Sequence, residues 1–204
     1  MSGLLHRFWA DRSGGPAAEF ALVVPLLILF LFGIIDVGRL MWTWNQAEKA
    51  TQQGVRFAAV TDMIPSGLRD YSFAVTGTVP QGDVVPDTSF PGVRCDSASC
   101  VCLATRQNQS CAFPLTRDAT AFNALVARIA RLKPDVTAAD VTITYAWSGL
   151  GFSGDPNGPD VSPLITVSLR NLTFQPLVLM GLEVDLPAFS ATLTMEDGLG
   201  LTSN

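Results

Sequence analysis

Histidine is almost absent from this chain of 204 residues. The single one, His6, lies upstream of a long apolar run, so everything after that run has no imidazole. A Ser-His-Asp triad or a Cys–His pair in the downstream part therefore lacks its usual base. A zinc site that uses histidine is excluded there for the same reason. Lysine is nearly as scarce: with only Lys49 and Lys133 present, Ser–Lys catalysis has little to draw on. Charge is thin as well, at 15% of residues, against about 25% in an ordinary soluble domain. The 13 Lys and Arg residues are scattered singly under a net charge of −5, which leaves no basic footprint for nucleic acid. These shortages point away from an enzyme, a cofactor, a small-molecule substrate and a nucleic-acid partner.

Apolar residues are abundant instead, at 48%, and many are concentrated in one place. From Phe20 to Ile35, "FALVVPLLILFLFGII", every residue is apolar or small. Extended to Trp42 the segment has 23 residues, or about 34 Å of helix, against a hydrocarbon core of about 30 Å. It is expected to be a membrane span. Pro25 is tolerable inside it, because freed carbonyls can be satisfied locally. Trp42 and Trp44 fall where an interfacial aromatic belt is expected. Asp36 and Arg39, three apart on one helical face, are expected to pair as the helix leaves the bilayer. Arg7 and Arg12 precede the span, so the positive-inside rule holds the N-terminus in the cytoplasm and exports the rest. A cleaved signal peptide is the alternative, but "DVGRLMWTWNQ" after the run offers no A-x-A site.

An acid, Glu19, stands where the apolar run begins. A carboxylate entering hydrocarbon is costly without a partner, so it invites a functional explanation. Just ahead of it lie Gly14 and Gly15. Cleavage between them makes Glu19 the fifth residue of the product and sets a new α-amine one helical turn away. In a helical assembly that amine can pair with the acid of a neighbouring subunit. The plainer alternative is that the two glycines form a flexible hinge before an uncleaved anchor.

The stretch "SGGPAAEFALVVPLLILFLFGIIDVGRLMWTWNQAEKATQQGVRFAA" resembles the TadE-like family of tight-adherence (Flp, type IVc) pilus assembly proteins, of TadE or TadF type. Gly14, Glu19, Phe20, Pro25, Gly33, Asp36, Gly38 and the "GVRFAA" of Gly54 to Ala59 follow the family pattern in order, with a weaker echo in "SATLTMEDGLG" near the end. The resemblance implies a minor pilin or pseudopilin, cut after Gly14 by a prepilin peptidase. It also implies co-assembly with the major Flp pilin and other pseudopilins. Pro16 would be the second residue of the product, and proline is accepted in the first turn of a helix.

Beyond the span, "NQAEKATQQGVRFAAVTD" continues without a breaker until Pro65. Ala47, Ala50, Gly54 and Ala58 make a narrow face of small side chains, against which another element can pack closely. One helix of about 45 residues is expected, from Pro16 to near Val60, its first half embedded and its second docked on a globular part. "YSFAVTGTV" (Tyr71 to Val79) alternates like a strand. "RDATAFNALVARIARLKPD" is an amphipathic helix, with Phe122, Leu125, Val126, Ile129 and Leu132 at apolar spacing, Asp118 as cap and Pro134 as stop. "DVTITYAWS", "SPLITVSLRNLTF" and "PAFSATLTM" are period-two runs between Gly/Pro-rich turns, and "LTFQPLVLMGLEVDL" fits either a short helix or an edge strand. The class is α+β: a long N-terminal transmembrane and amphipathic helix packed on a small antiparallel sheet, a pilin-like lollipop.

Cys95, Cys100, Cys102 and Cys111 fall within 17 residues. In an exported domain they are expected to form disulfides. Three pairings exist, of which Cys100–Cys102 is disfavoured by its very tight ring. Zinc on four thiolates is the competing reading, against which the C-x4-C-x-C-x8-C spacing argues. "SGDPNGPD" (Ser153 to Asp160) lacks the ligand alternation of a calcium loop and is expected to be a turn. "NQS" and "NLT" match glycosylation sequons, which matter only in a eukaryotic secretory route.

The expected organisation is a basic cytoplasmic leader at 1–14, the span and its extension at 15–60, and an extracytoplasmic α+β domain at 61–204 with a disulfide-rich loop at 91–114. The expected location is a bacterial inner membrane, in or at the base or tip of a pilus. The alternative is an uncleaved single-pass anchor carrying a periplasmic binding module or enzyme.

Overall fold

A computed structural model of the chain describes residues 14–105, 107–178 and 181–200. Of the basic leader read at 1–14, only Gly14 is among them; His6, Arg7 and Arg12 lie outside the described residues. The architecture is α+β: a long N-terminal helix, α1 (Gly15–Ala59), and a five-stranded antiparallel sheet. Two compact units divide the chain. One holds α1 as far as Trp42 together with Phe174–Val184; the other holds Thr43–Thr173 and the residues from Asp185 onward.

In the second unit, strands β1 (Gly92–Cys95), β2 (Cys100–Cys102), β3 (Val141–Ala146), β4 (Leu164–Leu169) and β7 (Phe189–Thr194) form a sheet in the order β2-β1-β3-β4-β7. Central strand β3 buries every second residue, Val141, Ile143 and Tyr145, and β4 does the same with Ile165, Val167 and Leu169. Such alternation marks a sheet with one face on the core. The pairing runs Ile143 opposite Val167, and Val167 opposite Ala191. Burial pushes the Tyr145 phenol above its usual range, and its oxygen accepts the Ile64 amide at 3.1 Å.

The last third of α1 and the helix that follows β2 in the chain pack on the buried face. Helix α3 (Ala119–Ala130) starts where Asp118 accepts the amides of Thr120 and Ala121 at 2.8 and 3.0 Å. It buries Phe122, Leu125 and Ile129. Side chains of this size each gain about 1.5–3 kcal/mol on full burial, so this face is what holds α3 down. Just after α3, Lys133 turns inward and pairs with Asp135 at 2.7 Å. The short helix α2 (Ser66–Arg69) packs so closely on Pro114 that a Cβ at Gly67 would collide with the Pro114 carbonyl oxygen.

Two expectations need revision. Tyr71 to Val79 is not a strand but a chain of turns, in which the amides of Thr76 and Gly77 both donate to the Ser72 carbonyl. Its alternation fails physically because only Phe73 and Val79 are buried, while the Phe73 amide donates to Asp160 instead of to a neighbouring strand. The cysteine segment, read as a loop, supplies both β1 and β2. In "LTFQPLVLMGLEVDL", where the sequence left a short helix and an edge strand open, the structure has strands: a two-stranded ribbon of β5 (Thr173–Phe174) with β6 (Val184–Asp185). The asparagines of both sequons, Asn108 and Asn171, have positive φ, 68° and 58°. Asparagine tolerates that left-handed backbone better than most residues, which gives each a conformational reason to be there.

Candidate functional site

The apolar helix carries the N-terminal candidate residues, and its two parts behave differently. Among the described residues it is the one helix long and apolar enough to cross a membrane. Between Phe20 and Val37 its large side chains are exposed all round the axis. A helix apolar on every side, most of whose surface the described residues leave uncovered, has hydrocarbon as its natural solvent. Pro25 lies inside it, and Pro16 occupies its first turn, where a missing amide hydrogen costs nothing.

At the N-terminal end, Gly14 and Gly15 are exposed, and a Cβ built on either meets nothing within 4 Å. Among the described residues, no close packing and no left-handed backbone requires glycine at either position. Glu19 and Phe20 follow on the exposed helix, Phe20 at 69% exposure. Among the described residues Glu19 has no hydrogen-bond or ion-pair partner, so any partner for its carboxylate has to come from elsewhere.

Near the other end of the apolar stretch lies Asp36, a buried acid on an otherwise exposed segment. Arg39 reaches it at 3.1 Å. Two further donors come from far along the chain: the backbone amides of Leu177 and Val178, at 2.8 and 2.9 Å. Arg39 in turn approaches the Gln175 carbonyl at 3.4 Å and stands 5.3 Å from the centre of the Phe174 ring. Asp36 and Arg39 together therefore clasp the segment that begins at Phe174. Sequence reasoning missed this contact. The one available signal was the acid itself, whose position in an apolar run demands more than a single partner.

Beyond Trp42 the helix acquires a buried face. Ala47, Ala50, Thr51, Gly54, Val55, Ala58 and Ala59 are buried, which includes all four small residues read from the spacing. Gly54 shows why they are small: a Cβ there would meet Ile129 Cγ1 of α3 at 2.9 Å and Val167 Cγ1 of β4 at 3.4 Å. The two tryptophans part company. Trp42 is 68% exposed, whereas Trp44 packs edge-on against Phe189 at 4.9 Å and donates to Glu48. At the C-terminal end of α1 the Ala59 carbonyl accepts the amides of both Glu196 and Asp197. The "MEDG" portion of the late echo thus caps the helix whose sequence it accompanies.

The four cysteines are all bonded, Cys95 to Cys100 and Cys102 to Cys111. The first bond joins residues directly opposite each other on β1 and β2. Asp96 builds the turn between them by accepting the amides of Ala98 and Ser99, which holds its carboxyl below the usual range. In the segment Ser153 to Asp160, Asp155 accepts the Asn157 amide as in an ordinary Asx turn, and the buried Asp160 accepts the amides of Phe73 and Asp155. These carboxylates are occupied by backbone donors, and no cluster suited to a metal ion occurs among the described residues. A cleft of about 420 Å³ between α1 and α3 is lined by Lys49, Gln52, Gln53, Arg128, Arg131 and Leu132. It presents no carboxylate, thiol or imidazole.

Compared with known proteins, the chain matches no curated protein and no solved structure. A family model described as TadE-like protein matches residues 14–56. That match begins at Gly14 and ends within the docked third of α1. The helix that bears Gly15, Glu19, Phe20, Asp36 and Arg39 is therefore the part of the chain similar to that family.

Proposed function

We propose that the chain is a minor pilin or pseudopilin that assists assembly of a bacterial tight-adherence pilus. The observation that carries this reading is the TadE-like match over residues 14–56, which coincides with the helix and opens at the glycine pair. In this reading the apolar part of α1 anchors the chain in the inner membrane, with its N-terminus cytoplasmic and its sheet domain outside. A prepilin peptidase cuts between Gly14 and Gly15. Both residues lie at an exposed position where nothing in the fold calls for glycine, which supports a requirement imposed by a second protein. The freed α-amine of Gly15 then pairs with the acid of an adjacent subunit, the major Flp pilin or another pseudopilin, and Glu19 pairs in turn with the α-amine of a neighbour.

Glu19→Ala tests the assembly role. Membrane insertion depends on the apolar run and is expected to survive, while piliation falls in cells that carry the variant. Wild-type piliation would remove Glu19 from the mechanism.

A further inference from the structure

We infer that the segment clasped by Asp36 dips into the bilayer leaflet on the side where α1 emerges, so that the protein is held by a helix and a loop together. The inference rests on the membrane anchoring just proposed, and its occupant is the acyl-chain boundary of the lipid.

Depth is the first argument. Asp36 lies six residues before Trp42, or about 9 Å further in along the helix axis if Trp42 marks the interface. The exposed Val37 and Met41 lie between them. A chain segment bonded to Asp36 therefore shares the level of the outer hydrocarbon. Composition is the second. Leu177 is 51% exposed, Leu182 50% and Val184 40%, three apolar side chains of one segment that water would penalise and lipid would not.

Satisfaction of polar groups is the third. Irregular backbone at membrane depth needs its amides and carbonyls paired within the protein. Asp36 takes the Leu177 and Val178 amides, Arg39 approaches the Gln175 carbonyl, and the Gln175 side chain donates to Glu183 at 2.7 Å. The arrangement is reciprocal. The loop gives Asp36 the donors a buried carboxylate requires, and Asp36 removes two amide hydrogens from contact with hydrocarbon.

The test uses the full-length chain in lipid nanodiscs, with an environment-sensitive nitrobenzoxadiazole label at Leu182→Cys. Labelling is done without reductant, so that the two disulfides stay closed. Leu29→Cys serves as the control for the span, and Val75→Cys as the control for water. The expected result is blue-shifted emission at Leu182→Cys with loss of fluorescence to a shallow doxyl-lipid quencher, and deeper quenching at Leu29→Cys. Adding Asp36→Ala should abolish lipid quenching at Leu182→Cys and leave it at Leu29→Cys.

Water-like emission at Leu182→Cys with normal quenching at Leu29→Cys overturns the loop insertion alone. A shielded label that lipid does not quench overturns it in favour of a protein contact. Absence of lipid quenching at Leu29→Cys overturns the membrane anchoring as well. Unchanged quenching in the Asp36→Ala background overturns the clasp.

Discussion

Asp160 is 4% exposed and accepts two backbone amides, those of Phe73 and Asp155. It ties a Pro/Gly-rich turn to the segment that failed to become a strand, so its removal strands two donors in a region with little regular structure of its own. Hydrogen bonds to a charged acceptor contribute about 1.5–3 kcal/mol each, less whatever water recovers. Asp160→Ala should lower stability by about 2 kcal/mol, read as a reduced midpoint in chemical unfolding of the full chain in detergent. An unchanged midpoint would mean that the turn holds without it. At this scale the sequence was only partly legible. The spacing of acids in "SGDPNGPD" announced a turn, but nothing local could announce that its last acid serves Phe73. The same limit hid the partners of Asp36, whose donors are more than a hundred residues away.

Among the elements, α1 is bound most tightly where its side chains are smallest. Gly54 sits against Ile129 and Val167 with no room for a longer side chain. Gly54→Leu forces either the helix or the sheet to move, which typically costs about 1–3 kcal/mol. Thermal unfolding followed by near-ultraviolet circular dichroism should show that loss, and an unperturbed transition would contradict the close approach.

The two disulfides act on the short strands β1 and β2. They span sequence separations of 5 and 9, so the chain-entropy argument gives about 2 and about 2.6 kcal/mol. Replacing each pair by serine should cost stability in that order without loss of metal. Stoichiometric zinc in the purified protein would overturn the disulfide assignment.

Elements with a strong local signal were legible: α3 from its apolar spacing and Asp118, and β3, β4 and β7 from alternation. β1 was not, because it is four residues long, includes Arg94, and is fixed by pairing on both sides, with β2 and with the distant β3.

The whole molecule combines an apolar helix whose large side chains from Phe20 to Val37 are mostly exposed with a small sheet domain stapled by two disulfides and closed by a C-terminal cap on Ala59. The class, α+β with a long N-terminal helix, followed from one uninterrupted apolar run and three alternating ones. The segment from Phe174 did not follow, since its apolar residues fit a short helix or an edge strand, and the donors it gives to Asp36 are not visible in the spacing.

The central claim is that Gly14 and Gly15 mark a peptidase site and that Glu19 pairs with the α-amine that such cleavage frees on a neighbouring subunit. It is tested most directly by the intact mass of the chain purified from its native membrane. The account predicts a polypeptide beginning at Gly15, and retention of the leader when Gly14 is replaced by a bulky residue. A native chain that still begins at Met1 would contradict it and leave Glu19 without the partner proposed for it.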